Sequence, residues 1–424
     1  MQELQQETRQ EIEQDTNHVS QPDSAPKPKG SVIVLAISVF LNIAGFTLIL
    51  PVVPFLVGQY VPPVEVGLYV GLIVSVFALC AFCAAPVMGA LSDRYGRRPI
   101  LMLSLLGSAI GYVIFGFGGA LWVLFAGRII DGLTAGNIST VYAYVADTFA
   151  PGERGRVYGV LGGVGGLGFM LGPVAGGLLG AICPAAPLFA AAGLTLVSIG
   201  WIYFALPESR AREAAPVAWR WQQLNPLAQL AHVLGIAALR VPFAGAFAFF
   251  FAGAMLQSNF AVYLKDILQF GPTGIGWILF TVGVMDIVAQ GLLTRLLLPR
   301  LGAHVLTRAG LAINAVGFGL IACLVFVPRV EFLLASIVVF TLGDGLFQPP
   351  MNTIISNAAP ADAQGLVQGA NQSQQAMARM LGPLLAAVLS PFSAAAPYWA
   401  GGVIAMMGVV ILSMSGRSKR PQAK

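Results

Sequence analysis

Long apolar stretches follow one another along most of the chain, and short polar segments separate them. Because a helix needs about 20 largely apolar residues to cross a bilayer, each stretch predicts one membrane-spanning helix. Gly and Pro inside the stretches are compatible with this, since neighbouring helices satisfy the freed backbone groups. We predict twelve such helices, called spans 1 to 12 below, over residues 31–57, 66–91, 99–119, 120–147, 156–183, 186–206, 241–265, 273–298, 304–327, 330–357, 365–392 and 394–415.

The polar segments divide the spans into two sets of six. The first 30 residues are rich in Gln and Glu and lack the apolar core of a removable signal peptide. Residues 222–238, between the two sets, predict an amphipathic helix on the membrane surface. We predict, in chain order, a disordered cytoplasmic tail 1–30, an N-terminal six-helix half 31–206, a cytoplasmic central loop 207–240, a C-terminal six-helix half 241–415 and a cytoplasmic tail 416–424.

The composition identifies the class of protein. Hydrophobic residues make up 57% of the chain and charged residues 10%, whereas soluble domains carry about 25% charged residues. These values exclude a disordered chain and a soluble enzyme, and they leave an integral membrane protein. The net charge of +5 is spread over loops, so we expect the lipid bilayer as a partner and no nucleic acid.

The cationic residues predict the orientation, because cytoplasmic loops carry an excess of Lys and Arg. With both termini in the cytoplasm, 19 of the 23 Lys and Arg residues lie on the cytoplasmic side. Lys265 and Arg329 lie on the opposite side, and Arg128 and Arg379 fall inside spans. We therefore predict a multi-pass protein of the cell membrane with both termini cytoplasmic.

Two short sequences recur in corresponding spans of the two halves. Asp-Gly-Leu at 131–133 in span 4 returns at 344–346 in span 10, and Met-Leu-Gly-Pro at 170–173 in span 5 returns at 380–383 in span 11. Two matches in the same order indicate duplicated halves. Such repeats are typical of secondary transporters, whose substrate site lies at the midplane between the halves.

Cys80 and Cys83 form a C-x-x-C inside span 2. Pairs with this spacing bind metals or exchange disulfides in other settings. Here apolar residues surround the pair and no strand–helix pattern accompanies it, so we interpret both as packing residues. We predict no metal site and no cofactor.

The loop between spans 2 and 3 reads Gly-Ala-Leu-Ser-Asp-Arg-Tyr-Gly-Arg-Arg over residues 89–98. A cation-rich turn on the positive side explains its arginines but neither Asp93 nor the spaced glycines. The loop resembles the signature G-x-L-x-D-R-x-G-R-R of the major facilitator superfamily, whose members usually work as monomers. The resemblance implies a gate that latches the two halves on the cytoplasmic side, formed by Gly89, Asp93, Arg94, Gly96, Arg97, Arg98 and their partner Asp147.

Span 5 presents a helix face with almost no side chains, which permits close contact with another helix. Its Gly-rich stretch 163–168 follows no strand, so a dinucleotide-binding loop is excluded. The spacing is similar to the antiporter motif of twelve-span drug:proton antiporters, and this resemblance implies export rather than import. The motif residues are Gly159, Gly168, Gly172, Pro173, Gly176 and Gly177.

Span 4 carries two charges, Arg128 and Asp131, at positions i and i+3 on one helical face, close enough to pair. The stretch resembles the family pattern R-x-x-Q-G, whose arginine is implicated in proton coupling, with Asp131 in place of the glutamine. Charges at this depth usually face a cavity. A neutralised structural pair is the alternative interpretation.

Span 1 carries Asn42, Gly45, Pro51 and Pro54. This arrangement is similar to the first span of tetracycline:proton antiporters, D-x-x-G with two following prolines, and the likeness continues through spans 3 to 5 and 11. It implies a drug-like substrate. Asn42 stands where that subgroup has an aspartate. Gly111 in span 3 and Asn314 in span 9 fall near other positions where it has acids, so the chain departs from the subgroup along its proton path.

Three acids lie deep inside spans and are candidates to carry a proton: Asp131, Asp286 in span 8 and Asp344 in span 10. Asp286 and Asp344 have no cation at i±3 or i±4, and a buried carboxylate without a cation beside it tends to become neutral. We therefore favour these two as proton carriers. Arg379 in span 11 is placed to reach either of them, and Arg128 completes the set of coupling residues.

Aromatic and amide side chains predict the substrate cavity, because a large apolar pocket with a few polar groups suits an amphiphilic ligand. For any one phenylalanine, a lipid-facing position is the alternative. The predicted cavity residues are Asn42, Phe247, Phe250, Gln257, Asn259, Gln348, Asn352, Asn371 and Gln375.

The predicted fold is therefore an all-α integral membrane bundle of twelve helices in two pseudo-symmetric halves. The predicted function is export of a small lipophilic compound, such as an antibiotic, in exchange for protons. An exporter of a native metabolite, such as a sugar or siderophore, is the alternative within the same class. A membrane-embedded enzyme is disfavoured, since no buried His, H-E-x-x-H or complete G-x-S-x-G constellation is present.

Overall fold

The computed structural model describes residues 29–149, 151–209, 226–360 and 364–414, and the regular structure in these ranges is helical. The predicted N-terminal tail up to residue 28, residues 210–225 of the central loop and the tail from residue 415 lie outside the described residues.

The helices of the N-terminal half follow the predicted spans. The long helix of span 1 ends before the predicted end of the span, because Pro51 and Pro54 cannot continue it. A short helix follows. A 3-10 turn, Pro63–Glu65, leads into span 2. The bounds are Lys29–Leu48 and Val53–Val57 for span 1, Val66–Tyr95 for span 2, Arg97–Phe117 for span 3, Leu121–Leu133 and Asn137–Thr148 for span 4, Pro151–Ile182 for span 5 and Ala186–Ala205 for span 6.

The C-terminal half begins with a short helix and has one irregular span. Span 8 contains a π-helical turn, Ala289–Leu293, which begins three residues after Asp286. The bounds are Pro226–Gly235 for the short helix, Ala237–Leu268 for span 7, Pro272–Val288 and Thr294–Leu301 for span 8, Ala303–Cys323 for span 9, Val330–Ala358 for span 10, Gln364–Leu389 for span 11 and Ala396–Met414 for span 12.

Nine helices of the described residues are long and apolar enough to cross a membrane. The other three predicted spans are helical but differ in character. Span 1 is shortened by its prolines, span 4 is divided at residues 134–136, and span 11 carries several Gln and Asn residues and an Arg.

The two halves are built alike. Within the N-terminal half, span 1 packs on spans 5 and 6, and span 3 on spans 4 and 6. The C-terminal half repeats each pairing, with span 7 on spans 11 and 12 and span 9 on spans 10 and 12. The halves meet along two helix pairs, span 2 with span 11 and span 5 with span 8.

One end of the bundle, called the Tyr60 end, is closed. A Cβ on Gly71 of span 2 would lie 2.6 Å from the Ala387 Cβ of span 11. Thr273 at the start of span 8 donates a hydrogen bond to the Gly177 carbonyl of span 5 at 3.2 Å. These contacts hold the halves together at that end.

The opposite end, called the Arg97 end, is open between the halves. Four glycines of spans 2 and 5 near this end have no described atom within 4 Å of where a Cβ would stand: Gly89, Gly155, Gly159 and Gly162. The structure therefore represents a conformation that is open at the Arg97 end and closed at the Tyr60 end.

Within the predicted surface helix 222–238, whose first four residues lie outside the described ranges, the structure has a helix over Pro226–Gly235 that is docked on the C-terminal half. Leu230 and Val233 are buried in a cluster with Phe243 of span 7 and Val367 of span 11. One side of this helix is therefore covered by protein.

Candidate functional site

A cavity of about 260 Å³ lies between the two halves. Spans 7, 8 and 10 supply most of its wall, and Phe249, Phe250 and Phe260 of span 7 make it largely aromatic. The N-terminal half contributes Leu50, Val53, Pro54, Val70, Val74 and Phe169. The polar lining is confined to the C-terminal half and consists of Gln257, Ser258, Asp286, Thr341, Asp344, Gln348 and Arg379.

The cavity contains three of the nine side chains predicted to line it, namely Phe250, Gln257 and Gln348. Asn371 instead is buried and accepts a hydrogen bond from Gln374 at 2.8 Å, so its amide serves the packing of span 11. Six predicted lining residues lie outside the wall, because the helix positions that carry them do not face the cavity: Asn42, Phe247, Asn259, Asn352, Asn371 and Gln375.

Asp286 and Asp344 face each other on the cavity wall, with their carboxyl groups within hydrogen-bonding distance. Gln290 donates to Oδ2 of Asp286 at 2.8 Å. The Oδ1 atom of Asp286 is buried and meets no donor among the described residues. Two carboxyl groups in contact cannot both be ionised without strong repulsion, so the geometry suits a proton held between them.

Arg379 lies deep among the helices, and its side chain is accessible because it projects into the same cavity. The predicted ion pair with Asp286 or Asp344 is absent in this conformation. In the described ranges no carboxylate oxygen lies within 4.0 Å of its guanidinium. The two acids contact each other instead.

Arg128 and Asp131 pair as predicted from their spacing, with Nη1 and Oδ2 3.0 Å apart. Both residues are buried, and neither lines the cavity. The Arg128 guanidinium lies between aromatic rings, at 5.4 Å from the centroid of Phe77, 5.9 Å from Tyr112 and 5.1 Å from Phe115. The pair is therefore sealed inside the N-terminal half.

Gly111 of span 3 packs directly on span 4 beside this pair. A Cβ at this position would lie 2.6 Å from the Gly127 carbonyl oxygen and 2.9 Å from the Asp131 Cβ. This contact leaves no room for the acid that the resembling subgroup carries near this position.

The repeat brings the two acidic sites into correspondence. Gly132 packs on Cys80 of span 2, and its repeat partner Gly345 packs on Ala289 of span 8. Three residues before these two contact residues, span 2 has Phe77 and span 8 has Asp286. Three residues before the acids Asp131 and Asp344, span 4 has Arg128 and span 10 has Thr341. The second half therefore has neither the cation nor the ring at these positions.

The predicted gate residues are assembled around Arg97 at the Arg97 end. Its Nη2 atom lies 2.7 Å from Oδ1 of Asp93, and its Nε atom lies 2.7 Å from Oδ2 of Asp147. Gly96, before it, has a φ of +101° that favours glycine. Spans 2, 3 and 4 are thus joined by one guanidinium.

Glu208, just after span 6, contacts the gate residues and was not predicted from the sequence. Its carboxylate accepts hydrogen bonds from the backbone N–H groups of Arg97 at 2.9 Å and Arg98 at 3.1 Å. A carboxylate is stabilised there because the first N–H groups of a helix lack internal partners. The available signal was an acid at the end of span 6, on the side where span 3 begins.

The remaining gate contacts also stay within the N-terminal half. Arg98 donates to the carbonyl of Tyr203, and the Arg94 guanidinium lies 5.3 Å from the Tyr95 ring centroid. Gly89 has open space around it. These contacts of Arg97, Arg98 and Arg94 lie within the N-terminal half, whereas the latch predicted from the family loop would join the two halves.

The span 5 glycines serve two neighbouring helices. A Cβ on Gly168 would lie 2.9 Å from the carbonyl of Phe40, and one on Gly172 would lie 2.8 Å from that of Ala44, both in span 1. A Cβ on Gly176 would collide with the carbonyl of Leu48, again in span 1. The predicted close helix contact is thus present along span 1.

The other neighbour of span 5 is span 8 of the C-terminal half. A Cβ on Gly177 would lie 2.5 Å from the carbonyl of Pro272, and the Pro173 carbonyl packs on Gly276. Gly159 faces open space. The motif therefore spans both a fixed contact within one half and a contact between the halves.

A helical membrane bundle of two like halves around a cavity with ionisable groups has the architecture of a secondary transporter. The family model described as "Major Facilitator Superfamily" matches residues 35–372 and 242–424. The tetracycline resistance protein, class C, of Escherichia coli is 33% identical, over 88% of this chain and 93% of that protein. The class H protein of Pasteurella multocida is 30% identical, over 91% and 94% of the two chains.

Among solved structures, the human organic anion transporter TETRAN superimposes with a TM-score of 0.69 and 25% identity, over 92% of this chain and all of that one. The chain belongs to the Major Facilitator Superfamily. The predicted family and the all-α membrane fold in two like halves are confirmed, and the count of twelve spans, six in each half, is consistent with them. The family consists of transporters, so the enzyme alternative is excluded.

Proposed function

We propose that the chain exports a small, lipophilic, drug-like compound in exchange for protons, by alternating access of the central cavity to the two sides of the membrane. The observation that carries the proposal is the contact between Asp286 and Asp344 on the wall of an aromatic cavity. A proton site and an apolar binding surface thus share one space. The resistance to tetracycline named for the relatives supports a drug as the cargo.

The geometry suggests how the two cargoes alternate. With the Arg97 end open, a compound reaches the cavity and packs against the rings of Phe249, Phe250 and Phe260. The acid pair releases a proton as the compound binds, because the compound and the proton site share the cavity. After the bundle opens at the Tyr60 end, the compound leaves and the acid pair takes up a proton. The proton neutralises the pair, so the bundle can close around the empty apolar cavity without burying a charge.

The proton carrier in this proposal is the acid pair and not the Arg128–Asp131 pair. Asp131 is neutralised by a guanidinium at 3.0 Å and lies away from the cavity. Asp286 and Asp344 have no cation within 4.0 Å in the part of the chain that the structure describes. A proton is the available means of neutralising them.

The Arg97 cluster is proposed as the gate at the cytoplasmic end. Asp93 keeps 45% of its side-chain surface exposed while it contacts Arg97, so it is accessible to the C-terminal half when the Arg97 end closes. Asp93→Asn should therefore lose most transport while the protein still inserts into the membrane. Glu65→Gln, an exposed acid in the turn at the opposite end, is the matched control, and full transport by Asp93→Asn contradicts the gate.

The orientation belongs to the proposal as well. The excess of cations at the Arg97 end supports a cytoplasmic location of that end and of both termini, and we propose that the protein acts as a monomer in the cell membrane. Single cysteines at Gln59 and Ser209 in a variant without the four native cysteines test the orientation. A membrane-impermeant maleimide added to intact cells should label the first and not the second, and the reverse labelling contradicts it.

Efflux in cells tests the function. Expressing and non-expressing cells are grown against a panel of lipophilic antibiotics that includes tetracycline, and accumulation of the protective compound is measured. Expression should raise the inhibitory concentration of at least one of them, and an ionophore that collapses the proton gradient should restore its accumulation. Efflux that continues unchanged without a gradient contradicts antiport.

A further inference from the structure

Arg379 is a cation without a counterion in the described part of the bundle. By contrast, Arg97 and Arg128, which are buried, have carboxylate oxygens at 2.7 and 3.0 Å. Arg379 has none within 4.0 Å, and no side-chain hydrogen bond of its guanidinium is present among the described residues. Keeping a charge deep in a membrane bundle is costly unless it is paired or has a functional role.

The position of Arg379 shows where its partner has room to bind. The side chain projects into the cavity that also holds Asp286 and Asp344. The acids contact each other, so their charge is not directed at the guanidinium. The cavity thus carries a cationic point and, apart from it, an anionic point, with aromatic surface from Phe249 and Phe250.

We propose that Arg379 binds an acidic group of the exported compound, which is a zwitterion with a flat apolar body and whose cationic group binds the Asp286–Asp344 pair. A guanidinium presents a planar set of donors that matches a carboxylate or enolate. The proposal rests on the proposed function and adds the charge pattern of the substrate to it.

The cationic group of the substrate is required by the direction of coupling. An anion alone would favour a proton on the acid pair, and compound and proton would then travel together. A cationic group at the acid pair takes the place of the proton, so that the compound and the proton are exchanged. Only a compound with both charges satisfies Arg379 and also competes with the proton.

Three matched aromatic probes test the charge pattern. They share a naphthalene body and are 4-(aminomethyl)-1-naphthoic acid, 1-naphthylmethylamine and 1-naphthoic acid. Their affinity for the purified full-length protein is measured by calorimetry in detergent without any gradient. The zwitterion should bind at least about tenfold more tightly than either singly charged probe, as expected for one additional charge-assisted contact.

Variants assign the two charges to their partners. Arg379→Gln should reduce the affinity for the zwitterion to that for the amine and leave the amine unchanged, while Arg379→Lys retains part of the difference. Arg295→Gln, which removes an exposed arginine of span 8, should change none of the three affinities. Loss of all three probes in Arg379→Gln, or an amine that binds wild type as tightly as the zwitterion, overturns the proposal.

The outcomes are separable from those of the proposed function. Probe ranking on the wild-type protein needs no variant to fold and no gradient. Gradient-driven export of a drug together with equal affinities for the three probes refutes the zwitterion and leaves antiport standing. Preference for the zwitterion without any gradient-driven export supports the charge pattern of the substrate and refutes antiport.

Discussion

The two halves of the bundle place ionisable groups at corresponding positions and surround them differently. In the N-terminal half, Arg128 and Asp131 neutralise each other at 3.0 Å and are enclosed by aromatic rings. In the C-terminal half, Asp286 and Asp344 contact each other at the wall of the cavity. One backbone arrangement thus holds a pair of opposite charges in one half and a pair of acids in the other.

The difference comes from two positions. Thr341 stands where the repeat has Arg128, and Asp286 stands where it has Phe77. A pair of opposite charges has one favourable protonation state, whereas two contacting acids change state with a single proton. The structural pair and the proposed working pair can therefore be separated by single substitutions.

The largest effect is expected from breaking the N-terminal pair. Asp131→Asn leaves Arg128 buried without a counterion, and removal of one partner from a buried ion pair costs about 3–5 kcal/mol. The thermal unfolding of purified protein in detergent measures this loss. Asp266→Asn, an exposed acid at the end of span 7, serves as control.

A double substitution sharpens the same point. Arg128→Met with Asp131→Leu removes both charges and should recover part of the stability lost in Asp131→Asn, since no buried charge remains unpaired. If the double variant is the least stable of the set, mutual neutralisation does not account for the contribution of the pair to stability.

The second-largest effect is expected from a substitution that makes the C-terminal half resemble the N-terminal half. Thr341→Arg places a cation three residues before Asp344, as Arg128 precedes Asp131, and should hold that acid ionised. Gradient-driven export should fall about tenfold or more while the protein stays folded. Thr341→Gln has similar length without the charge, and an equal loss in both variants would mean that bulk, rather than charge, is responsible.

A smaller effect is expected from the two repeat-related glycines. A Cβ at Gly132 would lie 2.6 Å from the Cys80 Cβ, and one at Gly345 would lie 2.5 Å from the Ala289 Cβ. Each substitution to Ala should cost about 1–3 kcal/mol by overpacking. Gly345→Ala should also impair coupling, since Ala289 follows Asp286 by one turn.

Gly200→Ala is the control for both glycines, because nothing lies within 4 Å of its added methyl group. Stability losses confined to Gly132→Ala and Gly345→Ala support the correspondence of the two contacts. Normal coupling in Gly345→Ala would show that the acid pair does not depend on this packing.

Features set by local helix geometry could be predicted from the sequence. The Arg128–Asp131 pair follows from a spacing of three residues within one helix, and the spans follow from apolar stretches of sufficient length. Arg97 and Asp147 were linked by resemblance to a family loop. Each of these features depends on few contacts between distant segments.

Features set by helix rotation could not be predicted. Contact between Asp286 and Asp344 requires span 8 to pack on span 10 with both acids turned to one side. In a membrane protein, lipid and neighbouring helices are equally apolar, so hydropathy does not tell which face is covered. For this reason Phe247 and Asn259 were placed in the cavity, although neither lines it.

Transport by three single variants in proteoliposomes, with and without an imposed pH gradient, tests the central claim most directly. Asp286→Asn and Asp344→Asn fix one member of the acid pair in a neutral form, so downhill exchange of the exported drug should survive while gradient-driven export is lost. Asp131→Asn, assayed at a temperature where it remains folded, should keep its response to the gradient. Full gradient-driven export by both Asn variants of the pair, with loss in Asp131→Asn alone, would contradict the account and place the proton at the Arg128–Asp131 pair.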